Sequence, residues 1–207
     1  MGKKTDSLLR LFCKPSLNTL PTILYEHAMP EIGKVSFRSL GISKDLDIIY
    51  DWVNQDYSRQ FWQMNGSKEL LKCTYENVLL NPNAHSFIGL LNDKPICQID
   101  LYQVLSDELA NHVDGNQNDC GLHLLMSPPE QRRKGLTIIF FNSFLTYYFS
   151  FPEATRMFGE PDKENIKSNQ LVINSGFQFL KTIDLSYKTA NLYCITKNQF
   201  DEKNQIP

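Results

Sequence analysis

A run of basic residues stands directly before a long apolar segment, in the order Arg132, Arg133, Lys134 and Gly135, and the apolar segment continues to Phe149. Its apolar character predicts a helix covered on most sides. The first turn of a helix presents N–H groups without partners inside the helix and carries the positive end of the dipole. Glycine lets a ligand approach the backbone closely. This order predicts a phosphate-binding turn, with a solvated basic turn as the alternative.

A second candidate group is a histidine inside an apolar strand-like run. Alternation along that strand places His123 on the opposite face from its two leucine neighbours, and alternation along an earlier strand places Asp100 and Tyr102 on one face. If these strands are neighbours, the three side chains share a polar cleft that can hold an acceptor. An imidazole, with an ordinary pKa of about 6.5, can accept a proton there at neutral pH. A structural histidine in the core is the alternative.

An acidic turn, Glu160–Asp162, precedes a helix predicted from about Lys163 to Asn174. An aspartate directly before a helix commonly accepts backbone N–H bonds as its N-cap, here from Glu164 or Asn165. The carboxylate of Asp162 can also orient a base or bind a positive charge on a substrate. The two roles are compatible.

Together, these segments resemble the GNAT superfamily of N-acetyltransferases. In that family an Arg/Gln-x-x-Gly-x-Gly/Ala loop holds the coenzyme A pyrophosphate, and an Asn-x-x-Ala helix that ends in Gly-Phe follows. The matching positions are Arg132, Gly135 and Thr137 in the loop, and Asn165, Ser168, Leu171, Gly176 and Phe177 in and after the helix. Thr137 replaces the usual Gly or Ala, and Val172 stands where many members carry a tyrosine that protonates the departing thiolate.

A closer resemblance, from about Lys34 onward, is to the siderophore-biosynthesis acyltransferases of the N6-hydroxylysine acetyltransferase and mycobactin lysine acyltransferase type. The similar pieces, in order, are VSFRSL, DWVNQDYSRQFWQMNG, PICQIDLYQV, GLHLLMSPPE and GEPDKEN. In that group a histidine of the G-x-H-L-L strand and an aspartate of the E-P-D turn are linked to catalysis. The resemblance therefore implies that His123 and Asp162 are the catalytic residues.

The patterns and the resemblance together define an expected site. Residues expected to bind acetyl-CoA, or another acyl-CoA, are Leu124, Leu125, Met126, Arg132, Arg133, Lys134, Gly135, Leu136, Thr137 and Asn165. Among these, the backbone N–H groups of Leu124–Met126 are expected to donate to the thioester carbonyl. Residues expected to contact the acceptor are Trp62, Asp100 and Tyr102, with Trp62 as plain core the alternative. No metal is expected.

Composition disfavours several other classes. The chain has 207 residues and a formal net charge of −2, which argues against a nucleic-acid binder that depends on neutralising phosphates. Its five cysteines form no C-x-x-C pair, which predicts free thiols in a reducing cytoplasm rather than disulfides or metal ligands. The apolar run near Leu8 is interrupted by Arg10, and the helix that ends at Phe149 is too short to span a bilayer. Neither an export signal nor a membrane span is predicted.

The order of elements predicts a single-domain α/β (α+β) fold of the GNAT type, with a mixed central sheet flanked by helices. Residues 1–33 are predicted to be an irregular lead, residues 34–200 the acyl-CoA N-acyltransferase domain, and residues 201–207 a frayed tail. Ser43 is the expected N-cap of the first helix. A turn at Asn92-Asp93 is expected to join two strands as a hairpin.

Three functions fit these patterns. The first is acetylation of an N-hydroxylated or primary amine, of the N6-hydroxylysine or diamine type, in hydroxamate siderophore biosynthesis, with an acyl carrier protein as a possible alternative donor. The second is an aminoglycoside 6'-N-acetyltransferase, in which an acidic cleft holds a cationic sugar. The acidic residues available for such a cleft are Asp100, Asp107, Glu108, Asp114 and Asp119. The third is a non-catalytic module that binds acyl-CoA, which the departures at Thr137 and Val172 allow.

Overall fold

The computed structural model describes residues 11–14, 21–131 and 133–204. Within them lie eight strands: β1 (Ile23–Met29), β2 (Gly33–Ser39), β3 (Ala84–Leu91), β4 (Lys94–Gln103), β5 (Cys120–Met126), β6 (Arg156–Gly159), β7 (Gln178–Leu185) and β8 (Lys188–Thr196). The helices there are α1 (Ile42–Val53), α2 (Asp56–Trp62), α3 (Lys68–Leu80), α4 (Leu136–Phe149), α5 (Ile166–Asn174) and α6 (Lys197–Asn204). No helix of this part of the chain combines the length and apolar character that crossing a membrane requires.

The strands form one sheet in the order β1-β2-β3-β4-β5-β6-β8-β7. The pairs β1–β2, β2–β3, β6–β8 and β7–β8 are antiparallel, whereas β5 and β6 run parallel. The predicted mixed α/β fold is therefore confirmed. The strands β4 and β5 are neighbours, which is the arrangement that the predicted polar cleft requires.

The chain forms two compact units. The N-terminal unit comprises Phe12–Leu101 and His123–Phe144, and the C-terminal unit comprises Tyr102–Leu122 together with Leu145 and the residues after it. One core cluster of the N-terminal unit consists of Leu40, Ile49, Trp52, Val53, Leu71, Tyr75, Ile88, Leu90 and Leu125. One core cluster of the C-terminal unit consists of Val104, Leu109, Phe158, Ile183, Leu185, Ala190, Leu192 and Cys194.

A hairpin positions the strand that carries Asp100. Asn92 and Asp93, between β3 and β4, have φ values of 48° and 67°. Two successive residues with positive φ are the signature of a type I′ turn, which matches the twist of the flanking strands. The hairpin predicted at Asn92-Asp93 is confirmed.

The start of α1 corrects one prediction. Its N-cap is Gly41 rather than Ser43, and Ser43 lies inside the helix. No side chain caps the helix in the usual way, and the N–H of Gly41 donates instead to Oδ2 of Asp45 at 2.9 Å. The same carboxylate binds Arg38 at 2.6 and 2.7 Å. This buried ion pair joins β2 to the first turn of α1, a long-range partnership that the local cap pattern does not reveal.

Two segments that were expected to be irregular contain regular structure. The strand β1 lies within the expected irregular lead and pairs with β2, so that expectation is wrong for Ile23–Met29. The helix α6 runs through Lys197–Asn204, so the first residues of the expected frayed tail are helical. Residues 205–207 lie outside the described part of the chain, and the limits of the acyltransferase domain remain a prediction.

Candidate active site

The imidazole of His123 lies on β5 in the N-terminal unit and is half-buried. Alternation places it on the same face as Leu125, which belongs to the core of that unit. Trp62, the last residue of α2, packs against it with ring centroids 6.3 Å apart and planes at 81°. An edge-to-face pair of this kind holds both rings in place. The structure thus brings the predicted base together with one of the predicted acceptor-binding residues.

The carboxylate of Asp100 interacts electrostatically with His123. Ser86 Oγ and Gln98 Nε2 both donate hydrogen bonds to its Oδ1 atom. Burial raises the pKa of Asp100 above its ordinary value, and the two hydrogen bonds and the charge of His123 oppose that rise. Asp100 and His123 therefore form an electrostatically coupled pair within one unit.

The third predicted cleft residue, Tyr102, belongs to the C-terminal unit. A β-carbon at Gly121 would overlap the Tyr102 ring, so the absence of a side chain on that residue of β5 admits the phenol. The pKa of Tyr102 is raised well above its ordinary value, first by burial and then by the charges of Glu160 and Asp107. The structure therefore groups Tyr102 with Glu160, a buried residue of the acidic turn. The Oε1 atom of Glu160 lies 3.8 Å from Nζ of Lys188.

Asp162, the second predicted catalytic residue, lies in a turn before α5. Its Oδ1 atom accepts the N–H of Glu164 at 2.8 Å, as the capping alternative predicts. The helix nevertheless begins later than predicted, at Ile166, and its N-cap is Asn165, whose side chain accepts the N–H of Ser168 at 3.1 Å. Asn165, predicted to bind acyl-CoA, thus has a capping role in this structure.

A buried amide fixes the backbone of this turn. Asn169 Nδ2 donates to the carbonyl oxygens of Asp162 at 2.9 Å and Asn165 at 2.8 Å. Its Oδ1 atom accepts hydrogen bonds from Asn191 at 2.9 Å and from Tyr193 at 3.0 Å. The side chain of Asn169 thereby links the acidic turn and α5 to β8.

The turn before α4 has the open backbone that the sequence predicts. Gly135 has a φ of 89°, and a β-carbon there would meet nothing within 4 Å. Arg133 and Lys134 are exposed beside it, whereas Leu136 is buried and Thr137 is half-buried in the first turn. Arg132, predicted to bind the pyrophosphate, lies outside the described residues.

The end of β5 is held by contacts that the sequence does not reveal. Tyr57, on α2, donates its hydroxyl proton to the carbonyl oxygen of Met126 at 2.6 Å. The N–H of Ser127 donates to the carbonyl oxygen of Ile96 at 2.8 Å. Leu125 and Met126 are buried and Leu124 is half-buried, so these two bonds fix the backbone in which the predicted thioester-binding N–H groups lie.

Two polar residues of this region, Tyr75 and Gln98, are not among the nominated site residues. Tyr75 fits the apolar stripe of α3 and so resembles an ordinary core residue. Gln98 shares the face of Asp100 by strand alternation, and this signal identifies it once Asp100 is nominated. Within the described ranges, no group of three or more His, Cys, Asp or Glu side chains is placed to hold a metal ion.

Most of this site lies within the part of the chain that matches a known family model. A model of the GNAT acetyltransferase domain matches residues 41–185 of the chain. The chain belongs to the GNAT acetyltransferase family. Its predicted class, an N-acetyltransferase enzyme, is confirmed with the family, and so is the predicted fold.

The proteins to which this chain is similar are named for two kinds of acceptor. The chain is 26% identical over 183 residues to N(6)-hydroxylysine O-acetyltransferase of Escherichia coli, covering 86% of this chain but only 57% of that protein. It is 26% identical over 166 residues to N-hydroxyputrescine acetyltransferase of Acinetobacter baumannii, covering 80% and 79% of the two chains. The solved structure of aminoglycoside acetyltransferase AAC(6')-Ib with coenzyme A superposes with a TM-score of 0.75 at 21% identity, covering 83% of this chain and 99% of that one.

Proposed function

We propose that this chain transfers an acetyl group from acetyl-CoA to the nitrogen of an N-hydroxylated amine, of the N6-hydroxylysine or N-hydroxydiamine type, in hydroxamate siderophore biosynthesis. The observation that carries the proposal is the grouping of His123 with Asp100 and Trp62 in one half-buried site. The two curated relatives described above are named for acceptors of this class. A primary amine is the neighbouring acceptor class.

The turn before α4 fits the pyrophosphate of coenzyme A. Gly135 leaves its surroundings open, the helix that follows is 14 residues long, and Arg133 and Lys134 supply positive charge. The N-terminal N–H groups of such a helix bind phosphate oxygens without further help. Acetyl-CoA supplies the reactive acetyl thioester, and an acyl carrier protein as donor finds no support among the relatives.

The proposed role of His123 is to take the proton of the attacking nitrogen. As the nitrogen bonds to the acetyl carbon, the carbon–sulfur bond breaks and the proton passes to the imidazole. An amine like that of lysine, with a pKa of about 10.4, must first lose a proton to become nucleophilic. A hydroxylamine nitrogen is less basic and arrives largely neutral, so His123 need only accept the proton that is released on attack. This smaller demand favours the N-hydroxylated acceptor.

Two further catalytic roles are proposed, one in each unit. The backbone N–H groups of Leu124–Met126, at the strand end that Tyr57 fixes, are the proposed donors to the thioester carbonyl. Asp162 remains our second proposed catalytic residue, because the resemblance implies it and the hydrogen bonds of Asn169 hold its backbone. Val172 is a buried aliphatic residue and cannot protonate the departing thiolate.

An aminoglycoside acceptor is disfavoured by the way the acidic residues are used. Asp119 is fully buried and binds Arg156, while Asp107 accepts the N–H of Leu109 and Glu108 binds Ser186. These three carboxylates therefore have partners within the C-terminal unit, rather than forming a cluster that binds a cationic sugar. At 21% identity, the likeness to the solved aminoglycoside enzyme shows the fold alone.

The proposal is tested by release of the coenzyme A thiol from acetyl-CoA with a panel of acceptors: N6-hydroxylysine, N-hydroxyputrescine, lysine, putrescine and kanamycin. Turnover that prefers the hydroxylamines supports hydroxamate synthesis. Turnover with kanamycin alone refutes it in favour of the aminoglycoside reading. Absence of turnover with every acceptor, with acetyl-CoA binding retained in a calorimetric titration, refutes it in favour of a non-catalytic module.

A further inference from the structure

Three buried polar atoms near His123 have no hydrogen-bond partner among the described residues: the hydroxyl of Tyr75, Oε1 of Gln98 and Nε1 of Trp62. Tyr75 and Gln98 are 1% and 0% exposed, so bulk solvent does not reach their side chains. Buried polar groups in folded proteins are almost always hydrogen-bonded, and each one left unpaired destabilises the fold. A concentration of such atoms in one place therefore points to a partner that the chain does not supply.

All three atoms belong to side chains around the Asp100–His123 pair. Gln98 donates to Asp100 through Nε2, which leaves its Oε1 as the unpaired atom. Tyr75 belongs to the core cluster that contains Leu125, two residues from His123 on β5, and Trp62 packs against that cluster. Burial, and then the charge of Asp100, raises the pKa of Tyr75 well above its ordinary value. Trp62 packs edge-to-face on His123. Two of the three side chains thus contact the Asp100–His123 pair directly, and the third lies in the neighbouring core cluster of the same unit.

The types of these atoms restrict the chemistry of the missing partner. Gln98 Oε1 can only accept a hydrogen bond, Trp62 Nε1 can only donate one, and the Tyr75 hydroxyl can do both. The donors Ser86 Oγ and Gln98 Nε2 bind the same oxygen atom of Asp100, Oδ1. An ammonium group carries donors only and leaves the indole N–H unpaired. A group that offers O–H and N–H donors together with an acceptor oxygen matches the whole set, and an N-hydroxylamine is such a group.

We propose that Tyr75 and Gln98 bind the N-hydroxyl group of the acceptor beside His123, and that these residues make the enzyme select an N-hydroxylated amine over its parent amine. The inference rests on the proposed function and adds to it the residues that determine specificity. A site that hydrogen-bonds a substrate hydroxyl discriminates strongly against the analogue that lacks it, because its buried polar groups then stay unpaired.

The test compares kcat/KM for N-hydroxyputrescine and putrescine, and for N6-hydroxylysine and lysine, in wild type and in Tyr75→Phe. The two nitrogens of each pair differ in intrinsic reactivity, so the measured quantity is the change of the hydroxylamine-to-amine ratio on substitution. Loss of one hydrogen bond to the N-hydroxyl group should lower that ratio about 10-fold or more. Tyr50→Phe is the matched control, since Tyr50 packs against the same apolar core and should leave the ratio unchanged.

A second variant, Gln98→Met, keeps the length of the side chain while removing both its acceptor and its donor to Asp100. It should lower the ratio in the same direction, because the donor acts alike on both acceptors. Ratios that match wild type in both variants overturn the inference, as do equal losses with hydroxylamine and amine. In either case, preserved hydroxylamine turnover by the wild-type enzyme leaves the proposed function standing. If wild type turns over neither class of acceptor, the proposed function fails and this inference fails with it.

Discussion

Replacing Asn169 by alanine should destabilise the C-terminal unit severely, because this side chain satisfies four hydrogen bonds at once. The substitution removes the Nδ2 donor from the Asp162 carbonyl and leaves the hydroxyl of Tyr193 and the amide of Asn191 without their acceptor. A net hydrogen bond contributes about 1 kcal/mol, and a buried donor or acceptor left unpaired costs about 1–3 kcal/mol. Asn169 is 8% exposed, so water replaces little of the loss. We expect the free energy of unfolding to fall by about 3–4 kcal/mol.

The assay is urea denaturation followed by circular dichroism, with thermal unfolding as a second readout. A loss of about 3 kcal/mol corresponds to a fall of about 6–12 °C in Tm for a chain of this size. Gln170→Ala is the control on the next residue of α5, where the side chain bonds Asn174 at the exposed surface and should contribute less than about 0.5 kcal/mol. A loss below about 1 kcal/mol for Asn169→Ala, or one equal to that of the control, would refute the assignment of the turn's rigidity to this amide.

Three further outcomes are expected. His123→Ala should lower kcat about 100-fold or more while leaving the KM for acetyl-CoA nearly unchanged, and unaltered kcat with lysine would exclude a general base at this residue. Gly135→Ala should raise the KM for acetyl-CoA several-fold and leave the acceptor KM unchanged. A β-carbon would enter the open turn, and the φ of 89° is strained for any residue other than glycine. Equal changes in both KM values would contradict the phosphate-binding role. The stability of Asp100→Asn relative to wild type should increase as the pH rises from about 4 to 7. Burial raises the pKa of Asp100 in the folded state, so ionisation of this carboxyl destabilises the wild-type fold over that range, whereas an amide does not titrate. A pH-independent difference in Tm between Asp100→Asn and wild type would show that Asp100 does not titrate in this way.

Local pattern predicts the elements of this fold better than it predicts their ends. The apolar run up to Phe149 and the Asn92-Asp93 turn are visible in the sequence because hydrophobic periodicity and positive φ are properties of neighbouring residues. The start of α1 is not visible, because Asp45 acts there through its ion pair with Arg38 from another element. The strand β1 likewise depends on its pairing with β2, and the local sequence of Ile23–Met29 does not predict that pairing.

The sequence by itself determined the family, the enzyme class and the nomination of His123, because the motifs that carry them are short and contiguous. Only the tertiary structure decided which side chains surround that histidine. Trp62, Tyr75 and Gln98 lie on a helix end, a helix face and a strand, and their spacing along the chain has no relation to their distance in space. Tyr75 also satisfies the apolar pattern of α3, so its unpaired hydroxyl is apparent only when burial and hydrogen bonding are known. Periodicity assigns a residue to a face, whereas packing between elements decides what that face meets.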